Sequence, residues 1–355
     1  MRVLIGTYSE PIVFGTDKLF SGNGKGLYDC VFDGEQLTVR HVMPMGNPSF
    51  MALDEERGML YAVRENKTFA GTYGGGISEV MIGNGSVSMG SSFPTGGTDP
   101  CHVAIDPFRH WIAVANYGDG SVSFFALDDS GHMTGKREHF QHTGQSVDPV
   151  RQSAAHAHQV IFDRHGYAWV TDLGCDMVMP YAVFRDHIAP CPEKNVQVVP
   201  GSGPRAGVFS SDGRHFYLIQ ELGSCVTHFR IGDDQTMMLA ESVSTLPDGS
   251  IVGNTAADIQ LAKDGTHLYA SNRGHDSVCV YHVDGNGCLK TVEIVPCHGR
   301  TPRHMALSPD GRWLLVGHQN SDSIAVFHVL ADGRLAWHRN LPFPTPVCIR
   351  FVNNM

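Results

Sequence analysis

The chain has 355 residues, of which 42% are hydrophobic and 17% charged, and its formal charge is -10 at neutral pH. That acidic balance argues against nucleic acid as a partner. No run approaches the roughly 18 apolar residues that a membrane-crossing helix needs.

The 40 glycines and 19 prolines suit many short strands joined by turns. The nine cysteines are scattered without a Cys-x-x-Cys pair, which reads as reduced structural thiols and a cytoplasmic location. The apolar run in Met1-Arg-Val-Leu-Ile-Gly-Thr-Tyr8 is too short for a signal peptide and reads as a strand.

From there on, one hairpin recurs. Asn47-Pro-Ser-Phe-Met-Ala-Leu-Asp54 leads to Leu60-Tyr-Ala-Val-Arg-Glu65, and Asp99-Pro-Cys-His-Val-Ala-Ile-Asp106 leads to Trp111-Ile-Ala-Val-Ala-Asn116. His156-Ala-His-Gln-Val-Ile-Phe-Asp163 leads to Ala168-Trp-Val-Thr-Asp172. The fourth copy runs from Gly201 through Gly203-Pro-Arg205 and Asp212-Gly213 to Glu221. Copies beginning at Ala257 and Thr301 follow, and Thr345-Pro-Val-Cys-Ile-Arg-Phe351 starts a seventh with no second strand after it.

The starts at 48, 100, 157, 204, 258, 302 and 346 lie 44 to 57 residues apart, in the range of propeller blades. Ser121–Ala126, Ser277–His282 and Ser323–His328 read as third strands. The predicted fold is all-β: a seven-bladed β-propeller of four-stranded antiparallel blades, residues 1–355 as one domain. Val3–Tyr8 has the character of a second strand with no first strand before it. The C-terminal segment should therefore pair with it and close the ring.

In the fourth copy, Asp212-Gly213 predicts a tight turn between two strands. Antiparallel pairing puts the start of the first strand beside the end of the second. Arg205 and Glu221 should therefore meet at one rim, either as a site or as a surface ion pair. His156 and His158 are two apart and share a face if they lie on a strand. They read as a site pair, as the start of a metal ligand set, or as histidines satisfied by backbone carbonyls. Arg273 sits at the matching end of the next copy. His102, Asn116, Arg64, Glu65, Arg303 and His304 are further rim positions, which the repeat itself largely explains. Gly74-Gly-Gly76 is a weak phosphate-cradle pattern with no helix after it, and it reads as a turn or a close-packed strand start.

Pro-x-His-Val-x-x-Asp-Pro at Pro100, Gly-Pro-Arg at Gly203, Ser-Asn-Arg at Ser271 and Ser-Asp-Ser-Ile-x-Val-Phe at Ser321 resemble the seven-bladed propeller lactonase family. That family includes propeller-type 6-phosphogluconolactonases and carboxy-muconate cyclases. The resemblance spans essentially the whole chain. It implies a site of one His, two Arg and a Glu, matching His158 (or His156), Arg205, Arg273 and Glu221, with His156, His102 and Arg303 as substrate-binding positions. Ala206 departs from the His that phosphogluconolactonase-type sequences commonly carry there.

The implied reaction opens a small anionic sugar lactone, with 6-phosphogluconolactone the first choice. His158 or Glu221 would activate water, and the arginines would hold an anion or the oxyanion. No metal or cofactor is expected, and the oligomeric state is left open. The alternatives are a cycloisomerase or lactonase for another acidic lactone, and a binding propeller without chemistry.

Overall fold

The computed structural model describes residues 1–14, 18–83, 85–248 and 253–353. Among the described residues the chain is almost wholly strand. One helical element occurs, the single 3-10 turn Pro192–Lys194. The strands form seven sheets of four or more strands, together with two short ribbons. In the sheet of the fourth copy, Pro204–Phe209, His215–Gln220, Cys225–Ile231 and Met237–Ser244 follow in sequence order, each antiparallel to the next. A further sheet pairs Arg2–Thr7 with Gly26–Phe32 and Gly26–Phe32 with Leu37–Pro44, both antiparallel.

Two compact units are distinguished, residues 1–201 with 352–355, and residues 202–351. In both, burial grades across each sheet. Second strands such as Trp111–Asn116 are buried along their whole length, whereas fourth strands such as Leu37–Pro44 are mostly exposed. A strand covered on both faces reads as a continuous apolar run, which is how the second strands read in the sequence. In the second unit Tyr217, Ile219, Leu268, Ala270 and Tyr281 pack in one core cluster, and Tyr269, Val280, Met305 and Phe327 in another. In the first unit, Tyr61, Val63, Val103 and Val114 do the same.

Two polar devices join consecutive blades. The buried Tyr217 hydroxyl donates to the carbonyl of Gly287 at 2.9 Å, and Tyr269 donates to Gly333 at 2.9 Å. Tyr61 donates likewise to Gly131. In parallel, a glutamate accepts the N–H at the start of the next blade's fourth strand. Glu241 takes Leu289 N at 2.6 Å, and Glu293 takes Leu335 N at 2.7 Å. Each device satisfies a backbone group that the turn leaves outside the ladder.

The inner strands share one backbone feature. The residue before the proline is left-handed at Asn47, Asp99, Gly203, Thr301 and Thr345. Its carbonyl accepts the N–H just past the second strand, as Gly203 does from Glu221 at 2.7 Å and Thr301 from Gln319 at 3.0 Å. Glycine meets this demand at position 203 without a Cβ penalty.

The Asp212-Gly213 turn is wider than the tight turn expected. Residues 210–214 connect the strands, and only Gly213 is left-handed there. Asp212 Oδ1 accepts the Arg214 N–H at 3.0 Å and Ser210 Oγ accepts the His215 N–H at 3.0 Å, so side chains complete the turn.

Candidate active site

A β-bulge lies near the start of four inner strands, in three of them just after the left-handed residue. Pairing shifts register between Pro100 and His102, between Ala157 and Gln159, between Pro204 and Ala206, and between Pro302 and His304. The extra residues are therefore Cys101, His158, Arg205 and Arg303. A bulge residue leaves the ladder and its side chain is re-aimed. Three of the four are residues the sequence analysis selected.

In the second unit, Glu221 joins two arginines. Its Oε2 lies 2.9 Å from Arg205 Nε and 2.7 Å from Arg273 Nη2. The side chains are 8%, 3% and 14% exposed for Arg205, Glu221 and Arg273, which removes the surface ion-pair reading. Arg205 Nη1 also donates to the Ala257 carbonyl, and Arg273 Nη2 to the Ala256 carbonyl at 3.2 Å. Arg303 donates to Gln319 Oε1 at 3.2 Å.

Burial pulls the Arg273 pKa down to about 10; Glu221 works against that fall, and Arg205 and Arg303 add to it. Arg273 thus interacts with two further guanidiniums and one carboxylate. The excess of positive charge suits an anionic ligand. His304 is buried, and its Nδ1 accepts the Ile349 N–H at 3.3 Å, a structural use. Its pKa falls to about 4, chiefly through burial; Asp258 opposes the fall, and Arg350, Arg205 and Arg303 reinforce it.

In the first unit, Tyr117 gathers the histidine pair. Its ring stacks on His156 with centroids 4.6 Å apart and meets His158 edge-on at 5.5 Å. His156 precedes the strand Ala157–Phe162, so the shared ring, and not the strand alternation expected, brings the two together. His156 Nδ1 donates to the Tyr117 carbonyl at 2.8 Å, which fixes the proton on Nδ1 and leaves Nε2 as an acceptor. His158 Nδ1 lies 3.9 Å from Cys101 Sγ. Arg151 donates to the Tyr117 hydroxyl at 3.1 Å.

His102 is buried against Phe50 at a centroid distance of 4.0 Å, and its Nδ1 accepts the Val160 N–H at 3.4 Å. It does for its blade what His304 does for another. Asn116 is fully buried and donates to Ser121 and Ser123. Glu65 accepts from the Tyr8 hydroxyl at 2.9 Å. Arg64 lies over the Phe69 ring at 5.2 Å.

Two groups went unselected in the sequence. Tyr117 is one. Asp99 is the other: it is 6% exposed, and burial followed by Glu65 and Asp119 raises its pKa to about 7, with Lys67 opposing. Its signal was its position. Of the five left-handed residues before a proline, only Asp99 titrates.

A profile described as "Lactonase, 7-bladed beta-propeller" matches residues 2–351. The chain belongs to that family of seven-bladed propellers, and with it to the lactonases, a class of hydrolases. It is 33% identical over 296 residues to a 6-phosphogluconolactonase of Formosa agariphila, covering 79% of this chain and 82% of that one. It is 26% identical over 305 residues to the 6-phosphogluconolactonase of Bacillus subtilis, covering 84% and 82%. The solved periplasmic gluconolactonase of Pseudomonas aeruginosa superposes with a TM-score of 0.88 at 28% identity, over 99% of both chains. Family membership sets aside the alternative of a propeller without chemistry. No helix among the described residues is long and apolar enough to cross a membrane.

Proposed function

We propose that the chain hydrolyses a sugar-derived lactone bearing an anionic group, with 6-phosphogluconolactone as the substrate of first choice. The observation that carries this is the buried Arg205–Glu221–Arg273 cluster with Arg303 beside it, in which guanidinium charge exceeds carboxylate charge. The two relatives named 6-phosphogluconolactonase favour the phosphorylated sugar.

Water adds to the lactone carbonyl while a base takes its proton. The tetrahedral oxyanion collapses, the ring C–O bond breaks, and the ring oxygen leaves as a hydroxyl after taking a proton. Arginines aimed at the oxyanion or at the phosphate lower the barrier, because the charge they meet grows in the transition state. Glu221 is engaged with two guanidiniums, so we assign it the task of holding them in place. The base role goes to the histidine pair. His158 is the first assignment, by the resemblance, and His156 the alternative, by its accepting Nε2.

The nine cysteines are all free thiols, which supports a reducing compartment for the chain. A substrate panel tests the reading, with turnover measured above the spontaneous rate. The expected result is hydrolysis of 6-phosphogluconolactone ahead of unphosphorylated and muconate-type lactones, with Arg205→Ala and His158→Ala both impaired while the circular dichroism stays native. Hydrolysis no faster than buffer for every lactone would overturn the proposal. If His158→Ala keeps turnover and His156→Ala loses it, the base assignment moves to His156.

A further inference from the structure

The outer part of the blade beginning at Pro204 carries a second cluster of donor side chains. His215–Gln220, Cys225–Ile231 and Met237–Ser244 run side by side, with Tyr217 opposite His228 and His228 opposite Glu241. The hydrogen bond from Tyr217 to the Gly287 carbonyl brings the turn that ends in Cys288 onto this surface. One donor atom from each of His228, Glu241 and Cys288 lies within 4.8 Å of the others.

His228 is wholly buried, and its Nδ1 has no hydrogen-bond partner. The nearest carboxylate oxygen, Glu241 Oε1, is 3.8 Å away, beyond hydrogen-bond range. Leaving a buried polar atom unpaired forfeits its hydration without replacement. The other ring nitrogen is served: His228 Nε2 lies 2.9 Å from His215 Nδ1. With the proton on Nε2 and donated to His215, the Nδ1 lone pair points toward the carboxylate and the thiol.

The following blade supplies a comparison within the same chain. There Tyr269 lies opposite Val280 and Val280 opposite Glu293. Tyr269 makes the same hydroxyl bond to Gly333, and Glu293 takes the same backbone N–H, from Leu335. Val280 and Arg334 occupy the positions of His228 and Cys288. The join between blades is thus built without either donor. His228 and Cys288 are additions that the join itself does not require.

We propose that His228 Nδ1, Cys288 Sγ and the Glu241 carboxylate form a binding site for a divalent cation of borderline softness, of the zinc type, with solvent completing a tetrahedron. Tetrahedral zinc with bonds of about 2.0–2.3 Å holds its ligand atoms about 3.3–3.8 Å apart. For a nitrogen and an oxygen ligand, with bonds of about 2.0–2.2 Å, the span is about 3.3–3.5 Å, so the Nδ1–Oε1 separation of 3.8 Å would close by a few tenths of an ångström on binding. Thiolate and carboxylate together balance the ion's charge. His215 orients the imidazole from behind, the usual support for a metal-bound histidine. The Leu289 N–H fixes Glu241, and Asp284 Oδ1 fixes the Cys288 N–H at 2.8 Å.

The test uses the full chain, stripped with chelator, dialysed and titrated with cobalt(II) and then zinc(II). The expected result is a thiolate-to-cobalt charge-transfer absorption saturating at about one equivalent and displaced by zinc. Cys288→Ser should abolish that band, and Cys225→Ser should leave it. His228→Val, which copies the residue of the neighbouring blade, should weaken binding by about tenfold or more. Zinc should raise the melting temperature of the wild type but not of Cys288→Ser. A wild type without the band, a band that survives Cys288→Ser, or equal zinc stabilisation of both proteins overturns the proposal. Cys288 is only partly buried, so its serine variant keeps the test decisive even if His228→Val fails to fold.

Discussion

Arg205 shows how much one position does. It is the extra residue of a bulge, it meets Glu221, and it caps a carbonyl of the neighbouring blade. Arg205→Ala should lower kcat/KM for the preferred lactone by about 10²-fold or more, the loss typical of removing one donor to a developing oxyanion. Arg205→Lys should recover little, because an ammonium cannot reproduce the guanidinium fork. Steady-state kinetics above the spontaneous rate check both.

Asp99 makes a claim about stability. In the unfolded chain its carboxyl loses its proton near the ordinary 3.8, whereas in the folded chain it keeps it to about 7. Between those values the native state binds more protons, so this residue's contribution falls as pH rises and is fully lost above about 7. Asp99→Asn should therefore raise the melting temperature relative to wild type by more at pH 8 than at pH 4.5. An equal difference at the two pH values in thermal melts would contradict the assignment.

Among the elements, the inner strand with its left-handed entry and bulge recurs and places the polar candidates. The tyrosine hook recurs with it, and its contribution is measurable. Tyr217→Phe and Tyr269→Phe each leave a buried glycine carbonyl without its donor, at about 1–3 kcal/mol. Each should lower the melting temperature by a few degrees, roughly 2–4 °C per kcal/mol. The double variant should show the sum within about 0.5 kcal/mol, because the hooks share no partner. A much larger combined effect in calorimetry would mean that the blades melt as coupled elements.

For the whole molecule, thiol reactivity reports how closed the packing is. Cys30, Cys101, Cys175, Cys279, Cys297 and Cys348 are buried, and Cys191, Cys225 and Cys288 are partly covered. Burial pushes Cys30, Cys175, Cys279 and Cys297 up to about 12, far from the thiolate that an aromatic disulfide reagent attacks. The native protein should expose only Cys191, Cys225 and Cys288 to rapid titration with such a reagent, and all nine once denatured. Fast reaction of a larger set in the native state would show that blades open readily.

Local pairing was legible in the chain because it depends on neighbours in sequence. The hairpin repeat, its spacing, the strand absent at one end and present at the other, and the meeting of Arg205 with Glu221 all follow from alternation, turn residues and antiparallel register. Burial was not legible, because it depends on residues far away in the chain. Only packing against Ala256 and Ala257 of the next blade turned an ordinary rim ion pair into an enclosed charge cluster. The bulge carries no composition signal, so the re-aiming of His158, Arg205 and Arg303 could not be read in advance. Likewise, the raised pKa of Asp99 and the orphaned nitrogen of His228 arise from desolvation, which exists only once the sheets have stacked.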